Sequence, residues 1–203
     1  MTIQTISVVT AIIIFLLSLY IGFKTNILRE QDSSTSPYSL SKFQLWVWTT
    51  VICPIFALHW GNHFPANATI NQTSLILLGV SMGVTATSGL LSQISENRKR
   101  EHALKGLPAI TLKSEKTSKG FWIDLLTGND NDMPVERLQN LIFTFIYVVI
   151  YVVFFFSYTK SGIDLVTKKN VFTLMNYINF ETNAFVLMGI SSGSYLIGKG
   201  MNR

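Results

Sequence analysis

Two runs carry the residue types of a nucleophile. Gly79-Val80-Ser81-Met82-Gly83 and Gly189-Ile190-Ser191-Ser192-Gly193 each read Gly-x-Ser-x-Gly, the pattern by which serine hydrolases expose a Ser between a strand and a helix. That chemistry also needs a His and an acid within hydrogen-bond reach. Here both Ser residues lie in apolar stretches of helical length, and no Asp or Glu falls inside such a stretch. The three histidines, His59, His63 and His102, fall at the ends of these stretches or in loops. The chain is therefore not read as an enzyme. The same residues fit Gly-x-x-x-Gly, which in a membrane helix puts two missing side chains on one face and lets another backbone approach closely. Gly79, Ser81, Gly83, Gly189, Ser191 and Gly193 are accordingly read as helix-packing residues, the third predicted span against the fifth or one copy of the chain against another.

Metal and cofactor chemistry find little support. His59 and His63 stand at i, i+4, but Gly61 lies between them and no third ligand is near, so neither a metal nor a cofactor is expected. Asn129, Asp130, Asn131 and Asp132 lack the EF-hand spacing, and Asp132 ahead of Pro134 suits a helix cap instead. Asn67-Ala68-Thr69 and Asn71-Gln72-Thr73 match the N-glycosylation pattern, which matters only in a eukaryote.

The elements that must position these residues follow from charge. Of 203 residues 48% are hydrophobic and 13% charged, and mean hydropathy is +0.36, far from the make-up of a soluble domain. Lone Cys53 excludes a disulfide scaffold, and the low charge and 12% aromatics exclude disorder. Residues 1 to 23, 43 to 95, 138 to 159 and 182 to 198 contain no Asp, Glu, Lys or Arg. Only a helix satisfies every backbone group inside the hydrocarbon layer, and about 20 apolar residues cross it. Five spans follow: Ile6 to Phe23, Phe43 to Trp60, Ser74 to Ile94, Leu138 to Tyr158 and Asn183 to Gly198. The first has no basic residue before it and no cleavage pattern after it, so it reads as a retained anchor. The expected fold is an all-α integral membrane protein.

With five spans, one side of the membrane holds 13 Lys and Arg and the other 3, which places the N-terminus outside and the C-terminus in the cytoplasm. A four-span reading with the first segment peripheral leaves the same loops inside and moves the N-terminus in. No acid lies within a span, which speaks against proton-coupled transport. The inner loop, residues 96–135, concentrates Arg98, Lys99, Arg100, Lys105, Lys113, Lys116 and Lys119 between residues 98 and 119, and its first half is strongly basic. These charges face either anionic lipid or a soluble partner; nucleic acid is disfavoured because no aromatics are interleaved for stacking. Gly120 to Leu126 reads as a short interfacial helix with Phe121, Trp122, Leu125 and Leu126 dipping into the lipid boundary, and Val171 to Phe180 as a second such segment.

An internal repeat organises the rest. Lys42-Phe43-Gln44 matches Arg137-Leu138-Gln139 and Thr49 matches Thr144 at an offset of 95 residues; Leu77 to Gly83 matches Leu187 to Gly193 at an offset of 110. The chain divides into an anchor (1–25), a two-helix repeat (39–95), the basic loop (96–135) and a second repeat (136–200). Each repeat has an even number of spans, so the two are parallel about the membrane normal, unlike the inverted repeats of many transporters. Gln44 and Gln139 become a matched polar pair that locks the copies together or lines a vestibule.

Tyr38 to Trp46 (YSLSKFQLW), Leu78-Gly79-Val80-Ser81 and Leu187 to Gly193 together resemble a family of small prokaryotic multi-pass membrane proteins for which no activity is implied. The resemblance covers residues 38 to 95 and 121 to 199 and implies an inner-membrane location. The expected function is a non-enzymatic, homo-oligomeric membrane module that anchors or signals to a cytoplasmic partner, of the kind that serves multi-gene systems such as antiviral defence. The alternative is an oligomeric channel or membrane-permeabilising effector lined by Thr85, Thr87, Ser88, Ser191, Ser192 and Ser194.

Overall fold

The computed structural model describes residues 3–31, 33–63, 70–105, 117–127 and 134–160, together with 180, 182, 186, 189, 193 and 197. Among them the chain is helical: α1 (Ile3–Lys24), a 3-10 turn (Asn26–Leu28), α2 (Leu40–His63), α3 (Gln72–Leu104), α4 (Phe121–Leu126) and α5 (Val135–Lys160). No strand occurs among the described residues, where a lone bridge joins Arg29 to Tyr38. Thr5–Lys24, Leu40–Gly61, Gln72–Leu91 and Val135–Phe155 are each long and apolar enough to cross a membrane. They overlap the first four expected spans. Of the fifth, only residues 186, 189, 193 and 197 are described, each helical. Residues 128–133 and 171–179, with their expected cap and outer interfacial segment, lie outside the described set.

Lys24, Arg29, Lys42 and Arg137 gather at one end of the bundle, the basic end. From it α2 runs back along α1, and the two pack more closely than any other pair. Small residues allow this. A Cβ built on Gly22 would overlap the Trp46 indole, and one on Gly61 would overlap the Ser7 side chain. Two polar contacts fix the register: Trp46 Nε1 donates to the Ser18 carbonyl at 2.9 Å, and the Ser18 and Thr50 hydroxyls lie 2.5 Å apart. Thr50 already gives its proton to the Trp46 carbonyl, so Ser18 is the donor. In lipid, where apolar side chains gain little by leaving the tails, such close approach and hydrogen bonding hold helices together. The opposite face of α1, with Ile13, Leu16, Leu17 and Tyr20, is exposed on the bundle surface.

The other face of α2 meets α3 and α5. Trp48, Ile52, Ile55, Leu77 and Tyr151 form one buried cluster, with the Trp48 and Tyr151 rings edge to face. Ser74 ties α3 to α5 through the Tyr151 hydroxyl at 2.7 Å. The start of α3 is capped by Asn71, whose Oδ1 accepts from Ser74 N at 2.9 Å, so one orphan donor of the first turn is satisfied. Asn71 is thereby buried and engaged, which removes the second glycosylation pattern as an open acceptor. At the basic end Leu40, Phe43, Leu125 and Leu141 make a second buried cluster.

Candidate docking face at the basic end

Three devices build the basic end. The first is polar and lies between α2 and α5. Gln44 Nε2 donates to Thr144 Oγ1 at 2.7 Å and, at 3.4 Å, to the Asn140 carbonyl, which also accepts from Thr144 Oγ1 at 2.8 Å. Asn140 Nδ2 reaches Gln44 Oε1 at 3.5 Å. Gln44 is thus joined to α5, but its described hydrogen bonds go to Asn140 and Thr144 instead of Gln139. Gln139 is half-buried, whereas Asn140 and Thr144 are each 1% exposed. The physical reason is helical geometry: Asn140 and Thr144 stand four apart and share the face that α5 turns toward α2, and Gln139 sits 100° away.

The second device is a clasp around Asp124. Its carboxylate is buried and accepts three hydrogen bonds: from Ser118 Oγ at 2.6 Å, Lys119 N at 2.9 Å and Tyr38 N at 3.2 Å. Ser118 N donates in turn to the Thr35 carbonyl at 2.7 Å, and Arg137 Nη1 to the Asp124 and Thr127 carbonyls at 3.3 and 2.6 Å. One carboxylate therefore fastens α4 to the segment before α2 and, through its main chain, to α5. The segment before α2 is itself braced, since Arg29 donates to the Ser36 carbonyl and Tyr38 hydroxyl and lies over the Tyr38 ring, while Lys42 Nζ donates to the Arg29 carbonyl. This clasp corrects the expectation for α4. Leu125 is fully buried, and Phe121 is wedged edge-on between Tyr38 and Phe43, so these two face protein. Trp122 and Ile123 face outward, Trp122 tilted against Phe145. The buried Asp within an apolar hexapeptide was the signal that this helix docks on protein, because an acid facing inward needs donors waiting for it.

The third device is the length of α3. Thr85 Oγ1 donates to the Ser41 carbonyl at 3.1 Å, so α3 draws level with the first turn of α2 at residue 85. It then continues to Leu104, which at 1.5 Å per residue is about 28 Å of helix beyond that level. What the sequence suggested as the beginning of a loop is a helical stalk. Arg98, Arg100 and Lys105 are exposed along it, and Lys105 pairs with Glu101 at 2.5 Å. Lys99 belongs to the helix by its backbone; Lys113 and Lys116 lie outside the described residues, and exposed Lys119 is the clasp's backbone donor.

The small-residue motifs can be followed only in part, because most of the fifth span, the partner expected for the third, lies outside the described residues. A Cβ built on Gly79, Gly83, Gly189 or Gly193 would meet nothing within 4 Å among the described residues. Ser81 is buried and its carbonyl accepts from Thr85, while Ser191 lies outside the described set. Among the described residues the close helix contact is made at Gly22 and Gly61. Of the suggested pore-lining residues, Thr85 shares its one hydroxyl proton between the Ser81 and Ser41 carbonyls, Ser88 is buried and Thr87 is exposed. His59 is buried, and among the described residues no group of three or more His, Cys, Asp or Glu is gathered as a metal would require.

Comparison with family models, curated proteins and solved structures found no match to this chain.

Proposed function

We propose that the protein is a non-enzymatic membrane module of a prokaryotic inner membrane, its basic end in the cytoplasm and its N-terminus outside, which anchors or signals to a soluble cytoplasmic partner. The observation that carries this reading is the α3 stalk. A loop that only sets topology needs charge near the lipid surface, whereas α3 continues 13 residues, about 20 Å, past the end of its apolar span at Leu91 and carries its last turns beyond the headgroups. The clasp supports the same reading, because a stalk tethered to a fixed base can pass a docking event to α2 and α5. Among the described residues nothing lies within 4 Å of a Cβ at Gly79 or Gly83, which suits a face of α3 that receives another copy of the chain, in keeping with a homo-oligomer. A multi-gene setting such as antiviral defence suits a module of this type.

The test is native mass spectrometry of the tagged full chain, gently extracted from its host membrane. A soluble protein in fixed ratio is expected, and it should be lost when residues 98–116 are replaced by a Gly-Ser segment of equal length, which spares Ser118 and Lys119. A partner retained by that variant removes the anchoring role from the stalk. A closed homo-oligomer with no partner, conducting in planar bilayers, establishes the channel reading instead.

A further inference from the structure

We propose that α4 is sunk into the lipid monolayer at the basic end, where Trp122 and Ile123 join Leu138, Ile142 and Phe145 of α5 in one surface that takes phospholipid at the boundary between headgroups and acyl chains. This lipid contact is independent of the anchoring role, since it needs no soluble partner. On α4 it falls to Trp122 and Ile123, because Phe121, Leu125 and Leu126 pack against protein.

Depth identifies the occupant. The Trp122 ring lies 6.4 Å from that of Phe145, and the Phe121 ring 5.5 Å from that of Phe43, in the first turn of α2. Phe145 stands ten residues, about 15 Å, into the apolar span that begins at Val135, and its side chain leans back toward the basic end. Half of the hydrocarbon layer is also about 15 Å thick. A ring resting against Phe145 is therefore held among the upper acyl chains, with the headgroups in reach of its indole N–H, the setting that tryptophan favours. Trp122 is 57% and Ile123 46% exposed, and Leu138, Ile142 and Phe145, at i, i+4 and i+7 on one face of α5, are exposed as well. In water so continuous an apolar patch is costly, whereas against lipid it extends the outer surface of a span.

The polar groups of α4 meet the condition for immersion. In a water-poor layer the end of a short helix must find its hydrogen bonds within the protein. Thr127 N and Oγ1 donate to the Ile123 carbonyl at 2.7 and 2.8 Å, and Arg137 Nη1 donates to the Asp124 and Thr127 carbonyls at 3.3 and 2.6 Å. The Asp124 carboxylate is closed off on the inner side by Ser118, Lys119 and Tyr38, so no charge of α4 turns toward the lipid. Exposed Lys119, just before the helix, has a stem long enough to carry its ammonium to the headgroups.

The test uses the full chain in phosphatidylcholine vesicles and reads Trp122 as the difference in tryptophan emission between wild type and Trp122→Phe. With lipid brominated near the headgroup end of its acyl chains, that difference should lose most of its intensity, and iodide added on both sides should remove much less. Stronger quenching by iodide than by bromolipid overturns the proposal, since the face then meets water. Quenching by neither overturns it too and assigns the face to protein, a second copy or a partner. A spin label on Ile123→Cys in the Cys53→Ser background supplies an independent readout. Its collisions with oxygen should exceed those with a water-soluble nickel chelate, and the reverse order overturns the proposal as well.

Discussion

Gln44 on α2 and Thr144 on α5 meet side chain to side chain at 2.7 Å inside the bundle, and the same Thr144 hydroxyl donates to the Asn140 carbonyl. The amide and the hydroxyl satisfy each other where water is excluded. Asn140 is less well served, since its Oδ1 meets no donor and its Nδ2 reaches Gln44 only at 3.5 Å.

From this asymmetry, Gln44→Leu and Thr144→Val should each lower stability in detergent by about 1 kcal/mol, the scale of an interhelical hydrogen bond in a membrane protein. Asn140→Leu should be close to neutral, because it also removes an unsatisfied buried oxygen. Gln139→Leu should have little effect. Thermal unfolding followed by circular dichroism checks all four, and a Gln139 variant as damaging as Gln44→Leu would falsify the assignment.

Glycine substitutions should separate packing within the chain from packing between chains. Gly61→Leu and Gly22→Leu drive a side chain into Ser7 or Trp46 and should cost about 1 to 3 kcal/mol, the usual penalty of overpacking. Gly83→Ala meets nothing within 4 Å among the described residues and should leave monomer stability unchanged or slightly raised. If the outward face of α3 joins two copies, the same Gly83→Ala should shift the oligomer toward monomer on size-exclusion chromatography with light scattering.

Asp124→Ala leaves Tyr38 N, Lys119 N and the Ser118 hydroxyl without their shared acceptor, at a cost of about 2 to 3 kcal/mol for hydrogen bonds to a charged group. The loss is local. Limited trypsin digestion of the reconstituted protein should show faster cleavage after Lys119, while the spans stay protected. Unchanged cleavage would mean that the aromatic wedge of Phe121 holds α4 without the carboxylate.

Topology follows from where the basic end sits. In a Cys53→Ser background, single cysteines at Ser34 and Leu104 should resist an impermeant maleimide in intact spheroplasts and react once the membrane is opened. A cysteine at Thr2 should react at once. Labelling of Leu104→Cys in intact spheroplasts places the stalk outside and overturns the orientation.

The four candidate spans were legible in the residues alone, because charge is excluded from hydrocarbon and a helix of fixed rise must fill the layer; Lys24, Lys42, Glu96 and Arg137 mark their ends almost to the turn. Which faces meet was not legible. In a helix apolar all round, the periodicity that marks a buried side in a soluble protein is missing, so Gly22 and Gly61 looked no different from Gly79 and Gly83. Among the described residues close approach falls at the first pair, where Trp46 faces Gly22 and Ser7 faces Gly61. Gln44 announced a polar lock, but its partner depended on the rotation of α5, which only packing sets. The stalk was hidden for another reason. Past Ile94 the sequence turns polar and reads as a loop, and its helical state rests on local propensity and continuation from a span already formed. Asp124 was decided last of all: a carboxylate in an apolar hexapeptide gains meaning only when the backbone amides of Tyr38 and Lys119, 81 residues apart in the chain, converge on it.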